Sequence, residues 1–205
     1  QESDIYELIA SEYIQQGDTA KYIETLYEGA EKFPKSKYFT PNLVNVFIRQ
    51  GDNQKAMEYL DEAIKNDPSN ACDLNSVKGA LLAEKGDFAA AEEEYNKALT
   101  QDPNCERALE ALAVNFILQA QNLKEKTATM SDRKLQLEND KKTVDFYQRA
   151  LPHLEKFTKS LKDRTADKTE IDGALMKLRN VYYNLSMMGV DKSAQLKQVE
   201  AELGL

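Results

Sequence analysis

Apolar residues recur through the first hundred positions three or four apart, the spacing of one buried helix face. The same punctuation interrupts them at regular intervals. Gly17-Asp18, Gly51-Asp52 and Gly86-Asp87 lie 34 and 35 residues apart, and Pro34, Pro68 and Pro103 each follow their glycine by 17. A glycine ends a helix because it accepts the left-handed conformation without strain. The aspartate after it accepts a bond from a free N–H and so starts the next helix. A proline forbids continuation of that second helix. The pattern therefore predicts antiparallel helix pairs repeated in series, with no sheet.

Within each period, large and small residues fall at fixed places. The first unit has Tyr6, Ile9, Ala10, Tyr13, Leu26 and Gly29. The second has Leu43, Val44, Phe47, Ala56, Leu60 and Ala63, and the third Gly79, Leu82, Ala91, Tyr95 and Ala98. Leu109, Leu112, Ala113 and Phe116 open a fourth. Small residues let two helices approach closely, and large ones fill the space between turns. This resembles the tetratricopeptide repeat, a 34-residue helix-turn-helix unit. The first helix of the third unit departs from it, because Asn75 and Lys78 occupy slots that are normally apolar; Leu74, Val77 and Leu81 are the alternatives for packing.

The rhythm breaks after Phe116. The next second-helix signature is either Ala150, Leu154 and Phe157, about 25 residues late, or Tyr147 and Ala150, a delay of 18. Either way residues 120–142 form an insertion, read as two over-long helices making an arm. The break between them falls at 127–129, with Thr129 as the helix-starting cap, and Pro152 is expected to kink the second helix. After a loop at 162–169, Leu175, Leu178 and Tyr182 begin a fifth unit, and Ala194, Leu196, Val199 and Leu203 line one face of a terminal cap. The predicted fold is all-α: a right-handed solenoid of units 3–36, 37–70, 72–105, 106–161 and 170–205, with an inserted arm and a capping helix.

The stretches DIYELIASEYIQQGD, AEEEYNKALTQDPN, YQRALPHLEKF and LRNVYYNLSMMG are similar to the C-terminal part of a family of exported bacterial tetratricopeptide proteins. That resemblance implies a scaffold role and a periplasmic or otherwise exported location. The chain starts at Gln1 without an initiator Met, and the residues before Tyr6 make no polar capping helix, so further repeats are expected upstream.

Composition narrows the function. Residues 1–104 carry 10 Lys/Arg against 20 Asp/Glu, and the remainder 17 against 15. An acidic front half repels phosphate backbones, so no nucleic-acid partner is expected. No apolar run is long enough for a transmembrane segment. The lone His153, the absence of a Cys/His cluster of metal-ligand spacing, and the absence of a phosphate-cradling glycine loop or a Gly-x-Ser-x-Gly elbow give no warrant for an enzyme, a metal or a cofactor. Glu92, Glu93 and Glu94 are consecutive, so they fan around a helix rather than converge. Cys72 and Cys105 stand at equivalent points of neighbouring repeats. Such points are expected to lie beyond the roughly 7 Å a bridge allows, which predicts free thiols.

What remains is binding. In tandem repeats of this kind the first helices line a concave groove, onto which the counting places Asp4, Glu7 and Ser11, then Tyr38, Asn45, Ile48 and Arg49, then Asp73, Ser76, Ala80 and Glu84, then Arg107, Glu110 and Val114. Tyr38, Asn45, Arg49, Ser76 and Glu110 are the best candidates for a peptide: an aromatic platform, amide and hydroxyl groups for its backbone, and charges for its side chains. The expected function is a noncatalytic scaffold for an unidentified protein or peptide. A cytoplasmic co-chaperone-like adaptor is one alternative, although Glu7, Ser11, Asp73 and Val77 stand where its carboxylate clamp needs basic residues and Asn. A regulatory part of a larger protein with an upstream domain is another.

Overall fold

The computed structural model describes residues 2–66 and 68–205. Ten helices form five antiparallel pairs: α1 (Glu2–Gln16) with α2 (Thr19–Lys32), α3 (Phe39–Gln50) with α4 (Asn53–Asn66), α5 (Ala71–Glu84) with α6 (Phe88–Gln101), α7 (Glu106–Ala128) with α8 (Arg133–Asp163), and α9 (Lys168–Met187) with α10 (Ser193–Leu203). A 3-10 turn, Pro68–Asn70, precedes α5, and no strand occurs among the described residues. The second helix of each pair packs on the first helix of the next, and α5 also meets α7. The chain is a right-handed α-solenoid with an inserted arm and a terminal capping helix.

The Gly-Asp turns work as their chemistry requires. Gly17, Gly51 and Gly86 have φ of +76°, +74° and +82°. Asp18 accepts from the Lys21 N–H at 3.1 Å, Asp52 from Lys55 at 3.2 Å and Asp87 from Ala90 at 3.1 Å, capping α2, α4 and α6. Behind each turn the small residues are buried: Ala10, Ala98 and Ala113 are fully covered and Ala63 nearly so. Gly29 and Gly79 do the same more tightly. A Cβ on Gly29 would enter the Phe39 ring, and one on Gly79 the Tyr95 ring.

The buried apolar side chains divide into two main bodies. One runs from Ala10 through Phe39 and Leu60 to Leu81. The other runs from Ala91 and Tyr95 through Phe116, Tyr147 and Leu154 to Val199. They part at α5, where Asn75, Ser76 and Lys78 are buried instead, facing a buried Glu94 on α6. The irregular third unit is thus a polar seam across the stack.

Cys72 and Cys105 are bonded, Cα to Cα 5.9 Å, and are not the free thiols expected. The expectation assumed that equivalent points of successive units stay a helix diameter apart. Cys105 is instead the residue just before α7, where the chain crosses from α6 toward α5, and α5 and α7 are direct neighbours. The crossing brings its backbone to the first turn of α5.

Two further expectations change in detail. Asp132, not Thr129, caps α8, accepting from Lys134 and Leu135 N–H; Thr129 closes α7. Pro152 is accommodated inside a continuous α8. It is exposed, and so is Gln148, whose carbonyl loses its usual donor, so water can take that place.

Both alternatives for the second helix of the fourth unit are buried together, Tyr147 and Ala150 with Leu154 and Phe157. Before them, α7 and α8 pack on each other through residues 120–142, of which only Ala120 and Thr127 are buried. Ala120 belongs to the main core and Thr127 bonds back to the Leu123 carbonyl at 2.7 Å. Replacing 121–142 by a short Gly-rich turn therefore leaves one cooperative unfolding transition and helical content elsewhere intact, as chemical denaturation followed by circular dichroism will test. Failure of the trimmed chain to fold would make the segment core.

Candidate functional site

The first helices carry the candidate peptide-contacting residues, but not on one free surface. Asn45 and Arg49 are exposed on α3, four residues apart and so on one side of that helix. Tyr38 lies just before α3, which starts at Phe39 with Pro41 in its first turn. It is half-buried, its ring edge-on to Phe39 and its hydroxyl 3.3 Å from Ser11 Oγ on α1. Next to this pair, Ser36 donates to Glu7 at 3.2 Å. The first two units therefore bring Glu7, Ser11, Ser36 and Tyr38 together, with Asn45 and Arg49 further along α3.

The third and fourth units differ. Ser76 faces inward: 2% exposed, it donates to the Cys72 carbonyl at 2.7 Å and lies 3.9 Å from Cys105 Sγ. It supports the disulfide rather than a groove. Asp73 is paired with Arg107 at 3.2 Å, and Glu110 with Lys177 of α9 at 3.1 Å. A peptide reaching these groups would have to displace ion pairs already made. The offer to a ligand is therefore concentrated on α1 and α3.

Counting along the groove missed the polar seam, although Asn75 and Lys78 at apolar slots were its signal. The Lys78 ammonium, buried on α5, lies 2.5 Å from Asp61 Oδ1 of α4 and 3.3 Å from Glu94 Oε2 of α6. Glu94 Oε1 accepts from Lys97 at 2.7 Å, the main reason the Lys97 ammonium holds its proton above the usual lysine range. Glu94 Oε2 has no hydrogen-bond donor. Lys78 is close enough for an ion pair with that oxygen but lies off the line a hydrogen bond needs.

Elsewhere the titratable groups are structural. Burial pushes the Tyr95 phenol up to about 12 and raises Tyr182 further, where its hydroxyl also donates to Glu155 at 2.8 Å. Arg149 stacks over the Phe116 ring, 4.2 Å to its centroid, and pairs with Glu92. His153 lies against the same ring, with centroids 6.3 Å apart. Burial, then the charges of Arg149 and Lys156, hold its pKa below the ordinary value near 6.5. The unfolded chain binds that proton more readily, so His153 contributes stability that is complete above about pH 6.5 and lost as the pH falls through the folded value. Against His153→Gln, the native protein should therefore lose more stability between about pH 7 and 5; parallel profiles from urea titrations would remove His153 from that role.

Two tetratricopeptide-repeat family models match residues 8–71 and 47–115, together just over half the chain. The chain belongs to the tetratricopeptide-repeat family. A probable UDP-N-acetylglucosamine–peptide N-acetylglucosaminyltransferase SPINDLY of Solanum lycopersicum is 43% identical over 65 residues, 32% of this chain and 7% of that protein. The same protein of Petunia hybrida matches equally. Among solved structures, a monomeric mutant of IFIT1 with Gppp-AAAA superposes with a TM-score of 0.63 at 18% identity, over 89% of this chain and 36% of that one. The human IFIT1 dimer with m7Gppp-AAAA gives 0.61 at 17%, with the same coverage. At such identities the likeness is one of fold. The chain thus spans a small fraction of the SPINDLY proteins and about a third of IFIT1. Its repeats make it a protein-interaction scaffold, and no helix among the described residues is long and apolar enough to cross a membrane.

Proposed function

We propose that the chain is a noncatalytic peptide-binding scaffold of a bacterial cell envelope, engaging its partner through the α1–α3 face. The observation that carries the location is the Cys72–Cys105 bridge. Disulfides persist in oxidising compartments and are reduced in the cytosol, so a bridge joining successive repeats favours export and disfavours a cytoplasmic adaptor. The binding face rests on Asn45 and Arg49, exposed beside the Ser11–Tyr38 pair. A carboxylate gripped by Arg49 and a peptide backbone read by Asn45 are what this chemistry serves best.

Fractionation of the native bacterium with alkylation of accessible thiols tests the location. The protein should appear with the envelope and with both cysteines protected; recovery from the cytosol with both alkylated would overturn the location. A photo-crosslinker in place of Asn45 should capture a partner in the same cells, and Arg49→Ala should weaken that partner about tenfold, given roughly 1.5–3 kcal/mol for a charge-assisted contact. Unchanged affinity would move the interface off α3. The SPINDLY match favours a second reading, repeats that present substrate to a larger enzyme. A catalytic domain in the full gene product would favour it over the first.

A further inference from the structure

Between α4 and α6 the polar seam opens into a solvent-accessible cleft of about 710 Å³, with α5 as its floor. It lies on the second-helix side of the stack, away from the α3 residues considered above. Buried polar groups are tolerated when they satisfy one another, and this network falls short of doing so. Asn75, 4% exposed and lining the cleft, makes no side-chain hydrogen bond among the described residues. Glu94, 7% exposed, also lines it, with Oε2 lacking a donor. Asp61, Glu93 and Glu94 face Lys78 and Lys97 there, leaving one negative charge in excess. An apolar residue at position 75 would have packed without these costs.

The missing component is a cation rich in N–H donors. Asp61 and Glu94 both reach the same Lys78 ammonium, so their carboxylates are close enough to share a planar donor fork. We propose that the cleft takes an arginine side chain from an extended segment of a partner protein, its guanidinium donating to Glu94 Oε2 and Asp61 and its backbone bonded by the Asn75 amide. The choice of a protein as the source rests on the scaffold reading. The cleft is then a second contact point, on the face opposite the α3 site.

The test is a titration of the intact, isotope-labelled chain with the blocked tripeptide acetyl-Gly-Arg-Gly-amide, followed by amide chemical shifts, with the Gly-Glu-Gly analogue and spermidine as comparison arms. Saturable shifts at Asp61, Asn75 and Glu94 are expected with the arginine peptide alone. Asn75→Leu and Glu94→Gln should each weaken them about tenfold, the size of one charge-assisted contact. Asn75→Leu should do so without lowering the melting temperature, because it restores an apolar slot. No shifts at the cleft, equal binding by the glutamate peptide, or a destabilised Asn75→Leu that binds normally would each overturn the proposal. Binding of spermidine as tight as the peptide would overturn the protein source. Shifts confined to α3 would remove the cleft and leave the scaffold reading standing.

Discussion

Reducing the Cys72–Cys105 bridge lowers the stability of the oxidised chain by about 4 kcal/mol. The bridge closes a loop spanning 33 positions, and the chain-entropy relation gives about that value for such a loop. Total stabilities of domains are only about 5–15 kcal/mol, so the loss is a large part of the whole. It also falls at a vulnerable place. Each repeat leans mainly on its neighbours, and the third unit meets the second across a seam where Asn75, Ser76 and Lys78 replace apolar packing. The bridge ties that unit to the fourth, whose helices belong to the larger apolar body. Guanidinium unfolding of the same preparation with and without reductant isolates the crosslink from any change of side chain. The midpoint should fall while native helical content stays the same. A shift worth less than about 0.5 kcal/mol would mean the reduced chain already holds these units in place, and the bridge would then be a mark of compartment rather than a source of stability.

How much of this was legible before any coordinates depended on how local the deciding chemistry was. The turns were legible because glycine and aspartate act within a few residues of themselves: Gly17, Gly51 and Gly86 all have positive φ, and the aspartates all cap. The bridge was not legible, because it depends on how far the α6–α7 crossing carries Cys105 toward α5. Ser76 was assigned to the wrong side for a related reason. In α5, Ala71, Cys72, Leu74, Val77, Gly79, Leu81 and Leu82 leave no polar face, so counting along the helix cannot choose its orientation. The packing of Lys78 between Asp61 and Glu94 chooses it instead. Glu110 lay beyond sequence reading altogether, since its partner Lys177 is 67 positions away. Of the candidate peptide contacts, those on α3 stay available because neighbouring helices supply no counter-charge to Arg49, and those on α5 and α7 are already engaged.

Phe39→Ala destabilises the first body of the core by about 3–5 kcal/mol, the usual cost of deleting a fully buried aromatic ring. The more telling result comes from its neighbour. In an exposed helix interior, Gly→Ala stabilises by up to about 1 kcal/mol, because alanine loses less backbone entropy. Gly173 in α9, with nothing within 4 Å of a Cβ placed there, should behave that way. Gly29 in α2 should not, because its new methyl would enter the Phe39 ring, which is stacked on Phe33 with centroids 6.0 Å apart and has no exposed side toward which to retreat. Overpacking of this kind costs about 1–3 kcal/mol and outweighs the helical gain. The two sites must then couple. In the chain carrying both Gly29→Ala and Phe39→Ala, the methyl occupies space the ring has vacated, so the double variant loses less than the sum of the singles, by about 0.5–3 kcal/mol. Urea midpoints for the four members of this cycle, with Gly173→Ala as the control, decide the matter. Strict additivity, or a stabilising Gly29→Ala, would show that α2 and α3 can slide apart to admit a methyl, and that the glycine is not what sets their approach.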